Sequence, residues 1–151
     1  MKVLVFHIGA DRYGLPLAGV ARVLPAAALK HMPLTPPYVA GLLDLHGEPV
    51  PVIDLSRLAG LVRAQLWFDT RIILVDYPLG DGASATLGLL AEHVTGVEQI
   101  DPAALRESGV DGAAFLGQVS AGAAGMLQLV RLGDLLGAEV RALLFPGRVP
   151  G

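Results

Sequence analysis

The chain has 151 residues, which sets one domain as the expectation. Its 11 basic and 14 acidic residues leave a net charge of −3, so there is no broad basic footprint for nucleic acid. Hydrophobic residues make up 53% and charged ones 17%, which excludes a disordered chain, and 19 Gly with 11 Pro punctuate it too heavily for a helical bundle. The absence of Cys excludes disulfides and thiolate metal sites and fits a reducing compartment.

Val3–Ile8 is a short apolar run, too short for a secretory signal, and reads as a strand. Gly9-Ala10-Asp11 is a turn, after which Tyr13, Leu15 and Leu17 alternate with polar or small residues. The pair predicts a hairpin whose second strand lies at a sheet edge, because Pro16 cannot donate to a ladder. Val20, Val23 and Leu24 fit a helical turn or a twisted strand equally well. The four prolines between 25 and 37 make that stretch a loop. Val39–Leu45 and Val50–Leu55, separated by His46-Gly47-Glu48-Pro49, give a second hairpin, followed by a short helix Leu55–Leu58 that Asp54 or Ser56 can cap.

Residues 62–70 are a weakly patterned connection. Arg71–Tyr77 predicts a buried strand, Gly80-Asp81-Gly82 a turn and Thr86–Ala91 its partner. Asp101-Pro102 predicts a helix start, with the helix running to about Glu107. Residues 112–130 carry no charge but hold four glycines and several polar residues. They read as two strands around an Ala-Gly-rich turn, with no membrane insertion. Leu143–Pro146 continues past the last helix and either packs on the body or moves freely.

The sequence also resembles itself. Gly14, Leu15, Leu17, Val20 and Val23 recur 74 positions later as Gly88, Leu89, Ala91, Val94 and Val97, Gly41 recurs as Gly117, and 52–60 recurs 77 later as 129–137. The expectation is a mainly β chain, one domain over 1–151 with repeat halves 1–66 and 67–151, folded as two small β-lobes on a shared core. Lobes of this size tend to close into barrels to remove sheet edges.

Catalytic equipment is sparse. His7, His31, His46 and His93 show no metal-binding spacing, lysine occurs only at 2 and 30, and no nucleotide-binding or nucleophile-elbow motif is present. No cofactor is implied. Asp44 and His46, two apart, would share one face of a strand, so the enzyme alternative is a small ligand-binding barrel or hydrolase using that pair. The other reading is a turn-flanking polar pair. Val20, Val23 and Leu24, if exposed, form an apolar patch that needs a partner.

Two long stretches resemble the CheW-like domain family. One is Leu4-Val5-Phe6-x-Ile8-Gly9-x-x-x-Tyr13-Gly14-Leu15-Pro16-Leu17-x-x-Val20-x-x-Val23. The other runs from Met32-Pro33 through Gly41-Leu42-Leu43-x-Leu45-x-Gly47 to Val50-Pro51-Val52-Ile53-Asp54-Leu55. The resemblance implies two SH3-like five-stranded β-barrel lobes with a few short helices. It implies a cytoplasmic, non-enzymatic adaptor, recruited to receptor arrays, that couples the cytoplasmic tips of methyl-accepting chemoreceptors to the regulatory domain of a CheA-type histidine kinase. Pairing with other CheW-like domains would build rings and arrays. The receptor groove would take Leu17, Val20 and Val23. Two positions depart from the family pattern: Arg22 stands at its usual acidic residue, and Asp44-Leu45-His46-Gly47 replaces Asn-Leu-Arg-Gly. Asp44 is the expected new partner of Arg22, and the altered pair marks a divergent member with its own receptor or kinase.

Overall fold

A computed structural model describes residues 1–61, 70–122 and 125–147. The connection at 62–69 therefore lies outside the described residues. Nine strands form one hydrogen-bonded network: β1 (Lys2–Ile8), β2 (Asp11–Pro16), β3 (Val20–Pro25), β4 (Val39–Leu45), β5 (Glu48–Asp54), β6 (Arg71–Gly80), β7 (Ala83–Gln99), β8 (Leu116–Gly122) and β9 (Gly125–Val130). Two α-helices are described, α1 (Leu55–Leu58) and α2 (Ala138–Leu144).

The network divides into two five-stranded lobes that share β7. The first has the order β3-β6-β7-β5-β4 and uses β7 up to Ala91; the second has the order β7-β1-β2-β9-β8 and uses β7 from Glu92. Each lobe takes strands from both sides of residue 66. β7 changes lobes at a kink where His93 (φ 47°) takes the left-handed conformation and Val5/His7 of β1 face a register shift. At that kink His7 Nδ1 lies 3.2 Å from the His93 carbonyl oxygen.

The two lobes carry the same pairing register. In the second lobe Val5 faces Gly14 on one side and Gly96 on the other, and Gly14 pairs in parallel with Leu129. In the first lobe Leu74 faces Gly88 and Arg22, and Gly88 pairs in parallel with Val52. Both glycines sit where strands crowd. A Cβ at Gly88 would come 2.7 Å from Val52 Cγ2, and one at Gly14 would come 3.0 Å from Leu127 Cδ2.

Three apolar clusters explain why β1 and β6 read as unbroken hydrophobic runs. Leu4, Phe6 and Ile8 of β1 and Ile73, Val75 and Tyr77 of β6 point into one shared core between the lobes. The alternate residues, Ile72 and Leu74 or Val3 and Val5, fill a smaller core belonging to one lobe alone. Both faces of these strands are thus buried, which removes the usual apolar–polar alternation. α2 and Phe145 complete the shared core: Phe145 is buried and stacks on Tyr77, ring centroids 6.0 Å apart.

Four expectations change. The lobes are open rather than closed barrels among the described residues, because the segments after β3 and β7 lie across the outer strands instead: Lys30 bridges Leu42, and Arg106 bridges Val119. β2 is an inner strand, not an edge. Pro16 ends it, beyond the Arg12–Gly14 stretch that pairs with β9, so its missing N–H leaves no gap in the ladder. The helix expected at 102–107 is a single 3-10 turn, Pro102–Ala104, with the Asp101 carboxylate accepting from Ala103 N–H; Leu105 is already extended, which frees Arg106 to bridge. Thr86–Ala91 is the middle of a strand that runs on to Gln99.

Candidate functional site

Leu17, Val20 and Val23 come together at the margin of the shared core. Leu17 opens a 3-10 turn, Leu17–Gly19, and Val20 opens β3, so both structures that fit this spacing occur in succession. Leu17 and Val20 are half-buried against the shared core. Val23 pairs with Ile73, whose side chain belongs to that core, yet remains 41% exposed. Among the described residues β3 is an outer strand with β6 as its one strand partner, so an apolar rim borders a strand edge that no described strand covers. Such an edge with an apolar flank is built to be covered.

Arg22 faces Leu74 in register, is exposed, and forms no ion pair among the described residues. Asp44 is not its partner. β3 and β4 are the two outer strands of the first lobe, with three strands between them. The Asp44 carboxylate instead accepts from Gly47 N–H at 2.7 Å.

Asp44 and His46 do not share a strand face either. Asp44 is in β4, while His46 and Gly47 form the two-residue turn of the β4–β5 hairpin with φ values of 53° and 89°. Leu45 and Glu48 close the turn as a pair. Two successive positive φ angles match the twist of the hairpin strands, a geometry that Asn-Gly fills more readily than His-Gly. Both side chains are exposed, and the shallow groove that Asp44 borders with Leu42, Leu43 and Pro49 does not include His46. A base held by an orienting carboxylate needs the two within hydrogen-bond reach, so the hydrolase alternative is not favoured.

The site missed from sequence is the partner of this rim in the second lobe. Val94 is half-buried against the shared core and Val97 is 51% exposed on the far half of β7, the outer strand of that lobe. Their spacing of 74 from Val20 and Val23 was the available signal. The two rims differ in charge. Beside Val97, Glu98 is paired with Arg12 across β1, whereas beside Val23 the Arg22 cation faces solvent.

Each lobe borders a groove. That of the first is lined by Leu29, Met32, Leu34 and Leu90 with Asp54 and Arg57 at its edge. Asp54 is buried and caps α1, accepting from Ser56 N–H (3.0 Å) and Arg57 N–H (3.4 Å). The groove of the second lobe is lined by Pro16, Leu129 and Leu132 with Glu107, Gln118 and Arg131. No cluster of three or more potential metal ligands occurs among the described residues, and no described helix is long and apolar enough to cross a membrane.

Comparison with known proteins agrees with this architecture. The family model of the CheW-like domain matches residues 2–140. The chain is 33% identical to Protein FrzA of Myxococcus xanthus over 63% of this chain and 56% of that protein. It is 29% identical to Chemotaxis protein CheW of Bacillus subtilis over 50% of this chain and 49% of that one. The aligned stretch thus spans about half the length of these two relatives, whereas with Chemotaxis protein CheW of Klebsiella aerogenes it is 26% identical over 95% of this chain and 86% of the relative. Among solved structures it resembles the scaffolding protein TtCheW of Thermoanaerobacter tengcongensis, with a TM-score of 0.79, 28% identity, and coverage of 89% and 90% of the two chains. With two register-matched β-lobes around a shared core and a family model spanning nearly its whole length, the chain belongs to the CheW-like domain family.

Proposed function

We propose that the chain is a non-enzymatic adaptor of a bacterial chemosensory pathway, coupling chemoreceptor tips to the regulatory domain of a CheA-type histidine kinase. The family is one of scaffolds and adaptors. The observation that carries the reading is the edge of β3, unpaired among the described residues, where Val20 and Val23 form an apolar rim with the cationic Arg22 beside them. Catalysis needs side chains converging on a shielded point, and the Asp44–His46 base–carboxylate pair is exposed and divided between a strand and a turn. Coupling by contact needs surfaces alone.

In this reading the receptor hairpin lies against Leu17, Val20 and Val23, and an outer surface of a lobe holds the kinase domain. Arg22 and His46 make it a divergent member whose partner differs in charge from the usual one. The chain works as one domain over 1–151, with 1–66 and 67–151 as its repeats, in the cytoplasm at receptor arrays. The test is a pull-down with chemoreceptor tips and the regulatory domain of a CheA-type kinase from the same organism. The wild-type chain retains them, and Val23→Asp loses the receptor while unfolding at the same temperature. A folded wild-type chain that retains neither contradicts the proposal.

A further inference from the structure

The groove of the first lobe is formed in advance of any occupant. Loop 26–37, which follows β3, supplies much of its lining. Lys30 ties that loop to β4 with two backbone hydrogen bonds to Leu42, both 2.9 Å. Gly41 permits the approach, because a Cβ there would come 2.5 Å from the Lys30 carbonyl oxygen. Within the loop the Thr35 hydroxyl donates to the Met32 carbonyl (2.8 Å), and Val39 N–H donates to the Pro36 carbonyl (3.0 Å). Val39 and Ala40 of β4 and Leu90 of β7 complete the apolar lining. The space is about 490 Å³, within the range of small-ligand sites.

Arg57 and His31, both exposed, also line the groove, and loop 26–37 holds no carboxylate. Asp54 is the one carboxylate among the lining residues. It is buried beneath the cap of α1, and Arg57 Nε stands 3.9 Å from it, beyond hydrogen-bond reach. The Arg57 guanidinium makes no hydrogen bond among the described residues. The groove of the second lobe meets its own cation differently. Leu90 and Pro16, 74 apart, line the two grooves, and Lys30 and Arg106 make the same kind of backbone bridge, so His31 and Glu107 hold equivalent places. Glu107 stands 3.9 Å from Arg131 and accepts from the Gln118 amide (3.2 Å). Where the second lobe supplies a carboxylate, the first presents an imidazole beside a guanidinium that has none to bond.

We infer that the groove of the first lobe binds a free medium-chain fatty acid, its carboxylate on Arg57 and His31 and its chain along Leu29, Met32 and Leu90. The planar guanidinium offers a carboxylate two parallel hydrogen bonds, and an imidazole N–H adds a third. Leu29 and Met32 are only half-buried in the free chain, so the hydrocarbon removes apolar surface from water. Leu34 also lines the groove, fully exposed and with φ at 61°. A leucine in the left-handed region is disfavoured by contact of Cβ with its own backbone, and a bound chain gives that side chain the apolar contact it lacks. None of Leu17, Val20 and Val23 lines this groove, so the site is separate from the receptor rim and independent of the adaptor reading.

Calorimetric titration of the full chain with decanoate, kept below its micelle concentration, tests this. Decanoate binds at one per chain, and decanol, the same chain without the charge, binds about tenfold more weakly. Arg57→Gln weakens decanoate by about tenfold and leaves decanol unchanged. Leu34→Asn, which suits the positive φ and keeps the fold, weakens both. Both variants unfold at the temperature of the wild type. In methyl spectra of the three methionines, Met32 shifts on titration and Met126, exposed on β9 of the second lobe, does not. A wild-type chain that ignores decanoate, equal binding of decanol and decanoate, folded variants that bind decanoate as the wild type does, or a shift at Met126 in place of Met32 overturns the inference. Retention on anionic phospholipid vesicles without binding of free decanoate overturns it too, and assigns the groove to a membrane surface. No arm of the test uses a receptor or a kinase, so its failure leaves the adaptor reading standing.

Discussion

Replacing Gly88 by Ala is the sharpest probe of how the lobes are built. The new Cβ would stand 2.7 Å from Val52 Cγ2 and 3.2 Å from Ile72 Cγ2, against an ordinary carbon–carbon contact of roughly 3.5–4.0 Å. Val52 cannot swing aside, because a β-branched side chain holds a narrow choice of rotamers and this one is fully buried in the core of the first lobe. Overpacking of this kind costs about 1–3 kcal/mol. The alanine gains back about 0.4–1 kcal/mol by restricting the unfolded chain, which leaves a net loss of about 1–2 kcal/mol. For a domain of this size that is a fall in Tm of roughly 2–8 °C. Gly14→Ala, the equivalent change in the second lobe, meets the flexible end of Leu127 at 3.0 Å and Val3 at 3.3 Å, and the expected loss is smaller, about 1 kcal/mol or less. Urea unfolding of both variants measures the difference. Val52→Ala makes room beneath residue 88, so the double variant loses less than the sum of the two single ones, by about 1 kcal/mol. Equal stability of wild type and Gly88→Ala, or strict additivity with Val52→Ala, would refute the close parallel contact between β5 and β7.

Three further outcomes follow from the same structure. Val23→Asp, on a side chain already 41% exposed, changes unfolding free energy by less than about 0.5 kcal/mol but weakens receptor-tip binding by about tenfold or more in a titration; a destabilised variant with unchanged binding would place Val23 in the core. Burial holds the Tyr77 phenol protonated and raises its pKa above the ordinary 10.0, an effect that the nearby Asp134 reinforces and that the Leu136 backbone and Arg141 oppose. Its contribution is therefore complete below pH 10 and is lost as the pH climbs through the raised value. Tyr77→Phe, which removes the hydrogen bond to the Gly133 carbonyl, costs about 1 kcal/mol at neutral pH and flattens the alkaline loss of stability; a loss as steep as in the wild type would show that other groups cause it. His46→Asn places a residue that tolerates positive φ in the β4–β5 turn, so a small rise in Tm is expected, and a fall would show that the His46 side chain holds the turn together.

The strands with local signatures were legible in the sequence. The β4–β5 hairpin declared itself by apolar runs around His46-Gly47, and α1 by Asp54 or Ser56 as its cap, of which the structure uses Asp54. β1 and β6 stood out as apolar runs because the shared core takes one face and a lobe core the other. β7 was half-hidden. Its middle carries Glu92, His93 and Thr95, which interrupt the apolar pattern at the kink where the strand changes lobes. The inner position of β2 depends on β9, more than a hundred residues away, and no local rule reports it.

The candidate site was legible in part for the same reason. Residue type and spacing singled out Leu17, Val20 and Val23, but whether Val23 faces the core or solvent is decided by β3 lying at an edge. Asp44 and His46 looked like a pair because alternation was extended one residue past the end of the strand; the tight turn starts at His46 and turns its backbone over.

Calorimetric titration of the chain into the regulatory domain of a CheA-type kinase from the same organism, alone and with a chemoreceptor tip present, measures coupling by contact directly. The account expects saturable binding of the kinase domain and of the receptor tip, the latter lost in Val23→Asp. A folded chain that gives no heat with either would contradict it.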